Sequence, residues 1–155
     1  MEQTYFVYET AIGALTVCCT KEAVIAIRFA GQMPPEAQQE RTALSDRVAQ
    51  QIQEYLQGMR KNFELPLQMT GTDFQKMVWT ELCKIPYGET RSYQQIAQQI
   101  HNPKACRAVG LANNRNPLPI LIPCHRVLGA DGSLTGYAGG LDCKQKLLEL
   151  EKTFK

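Results

Sequence analysis

The most informative stretch of this chain reads Leu118-Pro119-Ile120-Leu121-Ile122-Pro123-Cys124-His125-Arg126-Val127. Its first half is apolar and is expected to be buried, and it leads to a thiol that lies between a rigid proline and an imidazole. A thiol becomes a strong nucleophile when its surroundings favour the thiolate. The stretch therefore predicts that Cys124 is a nucleophile with a lowered pKa, although many cysteines in such places only fill core space.

The neighbours of Cys124 suggest how it is activated. His125 follows it directly, and adjacent side chains diverge in helices and strands, so contact between sulfur and imidazole needs a special turn or a bridging water. We expect the bridged arrangement; the alternative is a histidine that caps backbone or fills the core. Glu151 is a candidate third member of a Cys-His-Glu relay. Glu149 lies close by in sequence and competes for that role.

Composition limits the possible classes of protein. The 155 residues suffice for one core or two small domains. Seventeen basic and fifteen acidic residues leave a net charge of +2, so contact with nucleic acid needs a local basic patch. The first residues lack the pattern of a secretory leader, and no apolar run approaches the roughly 18 residues of a membrane span. We expect a soluble, cytoplasmic protein.

The chain has six cysteines and two histidines. None of the cysteines forms a C-x-x-C pair, and the usual zinc spacings are missing, so we expect reduced thiols, no metal and no cofactor. A structural metal held by distant residues, in the N-terminal half for example, stays open as an alternative.

The first half of the chain predicts a small antiparallel sheet and one helix. Alternating apolar residues predict three strands, at Tyr5–Tyr8, Leu15–Cys18 and Val24–Phe29. After a polar connection over residues 31–41, a helix is expected to begin at Ser45 as its N-cap and to end at Gly58 in the left-handed conformation. Residues 63–67 are expected to add an edge strand. Residues 69–71 read as a linker, which places an α/β domain at residues 1–70.

The second half, residues 71–155, changes to short helices. Thr72 is expected to cap the first of them. Ser92 and Gln95 form a capping box for a helix that runs to Ile100. Asn102-Pro103 is expected to begin another helix, which ends at Ala112. These two short helices have the outline of a helix-turn-helix, and a last helix is predicted from Asp142 to the C-terminus.

Two features of this pair of helices allow a contact with DNA. The second helix carries small residues, Ala105 and Ala108, around Arg107, and small residues let a backbone come close to a narrow minor groove. Packing against another helix explains the same alanines equally well. Tyr93 opens the first helix and faces either DNA or the core.

Four stretches carry a resemblance to a known family. They are Ser92-Tyr93-Gln94-Gln95-Ile96-Ala97, Asn102-Pro103-Lys104-Ala105-Cys106-Arg107-Ala108-Val109-Gly110, Asn116-Pro117 followed by the stretch quoted first, and Gly136-Tyr137-Ala138-Gly139-Gly140-Leu141. Together they closely resemble the O6-alkylguanine-DNA alkyltransferases over about residues 72–152. The N-terminal half resembles this family only in its order of strands and helix.

The resemblance implies both a fold and an activity. The implied fold is α/β, with a small N-terminal antiparallel sheet and helix (ribonuclease H-like) and a mainly helical, winged-helix-like C-terminal domain. The implied activity is DNA repair by a methylated-DNA--[protein]-cysteine S-methyltransferase, which moves an alkyl group irreversibly from O6-alkylguanine to its own cysteine, once per molecule. O4-alkylthymine is a further candidate lesion. The implied partner is double-stranded DNA, contacted through the minor groove by a monomer without a cofactor.

The resemblance also assigns roles to residues. Cys124 accepts the alkyl group, and His125 and Glu151 activate it through a water. Tyr93 crowds the target phosphate and assists protonation of the leaving base, while Asn116 braces the site. Arg107 fills the gap left by the extruded nucleotide, because O6 lies inside the base pair and the base must leave the stack.

The remaining implied residues line DNA or the base. Those at DNA are Ser92, Tyr93, Ala105 and Ala108, and those of the substrate pocket are Pro119, Val127, Tyr137, Ala138 and Gly139. Ala138 stands where some relatives carry serine, which leaves the tolerance of longer alkyl groups open.

Two other functions compete with this one. A lesion-binding protein that transfers nothing would use the same DNA-binding helices, but such proteins replace the cysteine, often with tryptophan. A cysteine hydrolase would use Cys124 and His125 on an acyl substrate and turn over many times. The helix-turn-helix outline argues against the hydrolase.

Overall fold

The structure is a computed structural model and describes residues 2–155. The chain divides into two compact units between Met69 and Thr70. Within the described residues, no helix has both the length and the apolar character needed to cross a membrane.

The N-terminal unit contains a four-stranded sheet. Strands β1 (Thr4–Thr10), β2 (Gly13–Cys19) and β3 (Val24–Phe29) pair antiparallel, as predicted. The sheet is nevertheless mixed, because β4 (Gln38–Gln39) pairs parallel to β1 inside the stretch predicted as a polar connection. A strand of two exposed residues is too short to show an alternating pattern.

The edge strand predicted at residues 63–67 is wrong. This segment makes a single parallel bridge between Leu67 and Val24, through hydrogen bonds of 2.8 and 3.0 Å on either side of Leu67. Pro66 has no backbone N–H, so it can accept a hydrogen bond from Val24 but cannot donate one to a ladder.

One helix, α1 (Ala43–Leu56), packs against this sheet. Its buried residues Val48, Ile52 and Tyr55 form the core together with Leu15 and Val17 of β2. The helix ends at Leu56, and Gly58, just beyond the C-cap Gln57, takes the predicted left-handed conformation with φ +78°. Its N-cap, however, is Thr42 rather than Ser45. Ser45 is the third helical residue, and the two hydroxyls cap each other's backbone N–H groups.

The C-terminal unit is mainly helical. Its elements are α2 (Asp73–Leu82), β5 (Arg91–Ser92), α3 (Tyr93–Gln99), α4 (Cys106–Asn114), a 3-10 turn (Cys124–Arg126), β6 (Val127–Leu128) and α5 (Leu141–Thr153). The predicted caps of α2 at Thr72 and of α3 at Ser92 are both confirmed as capping boxes. The buried Trp79 joins α2 to α4, since its indole N–H donates to the carbonyl of Ala112 at 2.8 Å.

The predicted start of α4 at Pro103 is wrong, because Asn102 belongs to the end of α3. Its backbone N–H donates to the carbonyl of Ala97 at 2.9 Å, and His101 takes the left-handed conformation with φ +62°. These are the bonds and the geometry of a Schellman C-cap. Residues 102–105 then form a turn, and α4 begins at Cys106 without a side-chain cap.

A short parallel pairing of β5 with β6 brings the start of α3 close to the turn that contains Cys124. Arg91 of β5 lies opposite Val127 of β6. β5 leads directly into Tyr93, the first residue of α3, and β6 follows the turn that begins at Cys124. The pairing therefore fixes the start of α3 beside the cysteine.

Two glycines of this unit should respond oppositely to alanine. A Cβ at Gly71 would lie 2.6 Å from the buried ring of Trp79, whereas a Cβ at Gly110 would meet the Tyr93 ring at an ordinary 3.8 Å. We expect Gly71→Ala to lower the free energy of unfolding by about 1–3 kcal/mol through overpacking. Gly110→Ala, within α4, should raise it by about 0.5–1 kcal/mol. Urea unfolding measures both, and an unchanged midpoint for Gly71→Ala would contradict the close approach.

Candidate active site

Cys124 is the first residue of the 3-10 turn and is only 4% exposed. Asn116 holds the apolar run that leads to it. Its side-chain amide donates to the carbonyl of Ile122 at 2.9 Å, and its side-chain oxygen accepts from the N–H of Leu118 at 2.9 Å. Between them, Ile120 has φ +74°, a conformation that β-branched residues rarely adopt and that costs about 1–3 kcal/mol. The run before the cysteine is thus strained and braced.

Burial dominates the chemistry of this thiol at rest. It raises the pKa of Cys124 to about 11, although a hydrogen bond from Asn116 and the positive charge of Lys144 act in the opposite direction. The prediction of a lowered pKa is therefore wrong for the protein without substrate. The free-energy cost of removing a thiolate from water exceeds the stabilisation that Asn116 and Lys144 give to its charge.

His125 lies beside Glu151 and not beside Glu149. Its Nε2 is 2.7 Å from Oε2 of Glu151, whereas Glu149 accepts a hydrogen bond from Gln145. A carboxylate can only accept hydrogen bonds, so Nε2 carries the proton and Nδ1 is the basic nitrogen of the neutral ring. Burial lowers the pKa of His125, and the carboxylate of Glu151 counteracts this only in part. The buried ring is therefore a neutral base.

Arg126 completes this cluster, and the sequence reasoning assigned it no role. Its Nε and Nη2 donate to the two oxygens of Glu151 at 2.9 and 3.0 Å, and its Nη1 donates to the carbonyl of Ile85 at 2.8 Å. The backbone N–H of Gly88 donates to the same carboxylate at 3.0 Å. The sequence does contain a signal for this role, because an arginine inside a segment predicted to be buried needs an anionic partner.

This cluster also settles the charge of Glu151. Burial opposes its ionisation, but the hydrogen bonds from His125 and Arg126, together with the positive charge of Arg126, hold the pKa of Glu151 at about 2. The carboxylate is consequently ionised at any pH near neutrality. It fixes the orientation of the imidazole and would stabilise an imidazolium.

Tyr93 places a hydroxyl close to the thiol. The hydroxyl forms a short hydrogen bond with Oγ1 of Thr135, and the ring approaches Gly110 of α4. Burial raises the pKa of Tyr93, hydrogen bonds with Thr135 and Asn113 lower it, and the neighbouring thiolate of Cys124 raises it. Tyr93 is thus a protonated acid beside the cysteine.

Lys144 of α5 is a second buried residue that the sequence reasoning missed. It is fully buried, and its ammonium donates to the carbonyls of Val127 at 2.7 Å and Thr135 at 3.1 Å. It therefore connects β6, the strand after Cys124, to the loop that contains Thr135, whose hydroxyl contacts Tyr93. Lys144 and Glu151 lie seven residues apart, with the buried Leu147 between them, and this spacing places all three on one helix face.

The other predicted residues are distributed as follows. Val127 and Pro119 are buried, Tyr137 and Gly139 are half-buried, and Ala138 is exposed. Arg107 and Ala108 of α4 are exposed, and Ala105, which precedes this helix, is half-buried. The hydroxyl of Ser92 caps α3. Within residues 2–155, no group of three or more histidine, cysteine or acidic side chains is arranged to hold a metal ion.

Two family models match the chain. The model described as 6-O-methylguanine DNA methyltransferase, DNA binding domain, matches residues 73–153. The model described as 6-O-methylguanine DNA methyltransferase, ribonuclease-like domain, matches residues 4–69.

Individual proteins agree with these models. A methylated-DNA--protein-cysteine methyltransferase of Methanosarcina barkeri is 62% identical over 105 residues, which cover 68% of this chain and 66% of that protein, just under two thirds. The protein of the same name from Methanosarcina acetivorans is 47% identical over 151 residues, which cover 95% of this chain and 97% of that protein.

A solved structure agrees along almost the whole chain. The crystal structure of Mycobacterium tuberculosis OGT in complex with DNA superposes with a TM-score of 0.92 at 44% identity, over 97% of this chain and 94% of that one. The resemblance found in the sequence is thereby confirmed, and the predicted α/β fold class with it. Because both halves are matched by models of one family, this chain belongs to the 6-O-methylguanine DNA methyltransferases.

Proposed function

We propose that this protein repairs O6-alkylguanine in DNA by transferring the alkyl group to its own Cys124, once per molecule. The observation that carries the proposal is the buried thiol of Cys124, next in the chain to a histidine that donates to a buried carboxylate, in a chain of this family. The product is a thioether, and no group in the site is suited to remove an alkyl group from sulfur. Each molecule therefore acts once.

The transfer needs one proton acceptor and one proton donor. Nδ1 of His125 takes the proton of Cys124 through a bridging water, since Nε2 is already committed to Glu151. The thiolate attacks the alkyl carbon, a sulfur–carbon bond forms, and the bond between that carbon and O6 breaks. Tyr93 gives its proton to the leaving guanine and regains one from the imidazolium through solvent. Atoms and charges balance without a cofactor.

The DNA must deliver the base to a nearly inaccessible sulfur. O6 of guanine lies inside the base pair, so the nucleotide rotates out of the stack before it reacts. Helix α4 enters the minor groove with Ala105 and Ala108 close to the backbone, Arg107 occupies the vacated space, and Ser92 and Tyr93 face the target phosphate.

The pocket and the division of labour follow from these positions. The flipped base lies among Pro119, Val127, Tyr137, Ala138 and Gly139, with Asn116 bracing the segment that carries Cys124. Residues 71–155 form the DNA-binding and alkyl-acceptor domain, and residues 1–70 form a separate N-terminal domain. The protein works as a monomer on double-stranded DNA in the cytoplasm.

A mass measurement tests the proposed function. After incubation with a duplex that contains O6-methylguanine, the intact protein should gain one methyl group, and the digest should place it on the peptide with Cys124. An unchanged mass would contradict the proposal. Release of product in excess of protein would favour a hydrolase instead.

Replacing Arg107 with alanine should separate extrusion of the base from the chemistry. We expect transfer from duplex DNA to slow by about tenfold or more, because filling the gap offsets an unstacking free energy of a few kcal/mol. Transfer from free O6-methylguanine base should keep its rate. Arg115→Ala, which removes another exposed arginine from the C-cap of α4, serves as the control. Equal losses on duplex and free base would show that Arg107 acts on the pocket instead.

A further inference from the structure

Asn113 lies inside the candidate site, and neither the sequence motif nor the reaction described above gives it a task. It is near the end of α4 and only 2% exposed. Its side-chain amide donates to the backbone carbonyl of Cys124 at 3.4 Å and also lies beside the hydroxyl of Tyr93, whose pKa it lowers. It therefore touches both the nucleophile's backbone and the candidate acid.

These contacts fix which way the amide points. If the oxygen and nitrogen of Asn113 were exchanged, the side-chain oxygen would face the carbonyl oxygen of Cys124, and two acceptors would repel each other. The nitrogen must face Cys124. The amide oxygen, Oδ1, is left buried without a hydrogen-bond partner among residues 2–155.

A buried acceptor without a partner is expensive and rare in native proteins. Such an atom at a reaction site points to a ligand that supplies the missing donor. On the proposed function, the ligand of this site is an alkylated base. Only an alkylated base that carries an N–H group can supply the missing donor.

The candidate lesions differ in this respect. Alkylation at O6 removes the proton from N1 of guanine but leaves the exocyclic 2-amino group, with two N–H donors. Alkylation at O4 of thymine removes the proton from N3, and the attached base then has no N–H group at all. A single acceptor can therefore distinguish the two lesions.

We propose that Asn113 is a specificity-determining residue, whose Oδ1 accepts a hydrogen bond from the 2-amino group of the flipped O6-alkylguanine. This inference rests on the proposed function and deepens it. The hydroxyl of Tyr93 contacts both Thr135 and the amide of Asn113, so Asn113 belongs to the same cluster as the candidate acid. O4-alkylthymine, which has no N–H donor, leaves the acceptor unpaired and reacts more slowly.

The test uses three duplexes that differ only in the lesion: O6-methylguanine, O6-methylhypoxanthine, which is the same base without its 2-amino group, and O4-methylthymine. Single-turnover rates are read from the gain of methyl mass. The unmodified protein should react with O6-methylguanine about tenfold or more faster than with either other lesion, the effect of one buried hydrogen bond. Equal rates on O6-methylguanine and O6-methylhypoxanthine would overturn the proposal without touching the proposed function. No transfer from any of the three would overturn both.

Two variants assign the discrimination to this side chain. Asn113→Leu has nearly the same shape but no acceptor, and its rate ratio between O6-methylguanine and O6-methylhypoxanthine should fall towards one. Asn102→Leu, the same replacement at an exposed position in the turn before α4, should keep the ratio of the unmodified protein. Because a ratio is measured within each variant, a general loss of DNA affinity or stability cancels. An undiminished ratio in Asn113→Leu would show that other groups read the amine.

Discussion

Replacing Cys124 with alanine should abolish alkyl transfer and leave lesion binding intact. The sulfur is the only atom removed, and the cluster of His125, Arg126 and Glu151 keeps all its hydrogen bonds, so the site should retain its shape. Intact mass after incubation with methylated duplex should stay constant, while a gel-shift assay with the same duplex should give an unchanged dissociation constant.

Two other thiols provide matched controls. Cys143 is also buried, and Cys106 lies at the start of α4. Alanine at either position should leave one methyl group transferred per molecule. If Cys124→Ala still gained a methyl group, the acceptor would have to be another of the six cysteines.

Replacing Glu151 with alanine should produce the largest loss of stability in this unit. The carboxylate accepts hydrogen bonds from Arg126, His125 and the backbone of Gly88, and Arg126 would stay buried without its counter-charge. Breaking one partner of a buried ion pair costs about 3–5 kcal/mol. Urea unfolding should show a loss of this size for Glu151→Ala. The control Glu149→Ala, at an exposed position of the same helix, should lie within about 0.5 kcal/mol of the unmodified protein.

Glu151 also sets how stability depends on pH. Its folded pKa of about 2 lies below its ordinary value of 4.5, so its contribution is fully present above pH 4.5 and is lost as pH falls towards 2. Burial lowers the pKa of His125 below its ordinary 6.5, so the unfolded chain binds that proton first, and stability begins to fall below pH 6.5. Thermal unfolding between pH 7 and 3 should show both losses. Glu151→Gln should remove the lower one, and an equal decline below pH 4.5 in both proteins would contradict the assignment.

Local signals in the sequence predicted much of this structure. The capping boxes at Thr72 and Ser92 need only residues three positions apart, and each of the first three strands lies within one alternating run. The start of α4 could not be read in this way. The same Asn102-Pro103 pair is a good beginning for a helix, and only the bond from Asn102 back to Ala97 shows that it ends the previous one.

The residues of the site show the same difference between local signals and contacts that are distant in sequence. Cys124 and His125 could be identified from one short motif, and Glu151 could be proposed only as one of two neighbouring glutamates. Lys144 and Asn113 act through backbone carbonyls of residues distant in sequence, Thr135 and Cys124 among them. A backbone carbonyl leaves no trace in the residue type that carries it. These contacts needed three-dimensional coordinates.

The deep burial of Cys124 has a consequence for a protein that can work only once. Because burial raises the pKa of Cys124 to about 11, very few molecules carry the reactive anion at neutral pH. Free electrophiles and oxidants in the surrounding solution therefore meet a protonated, buried thiol at Cys124. This shielding protects the single acceptor of each molecule until a lesion occupies the site.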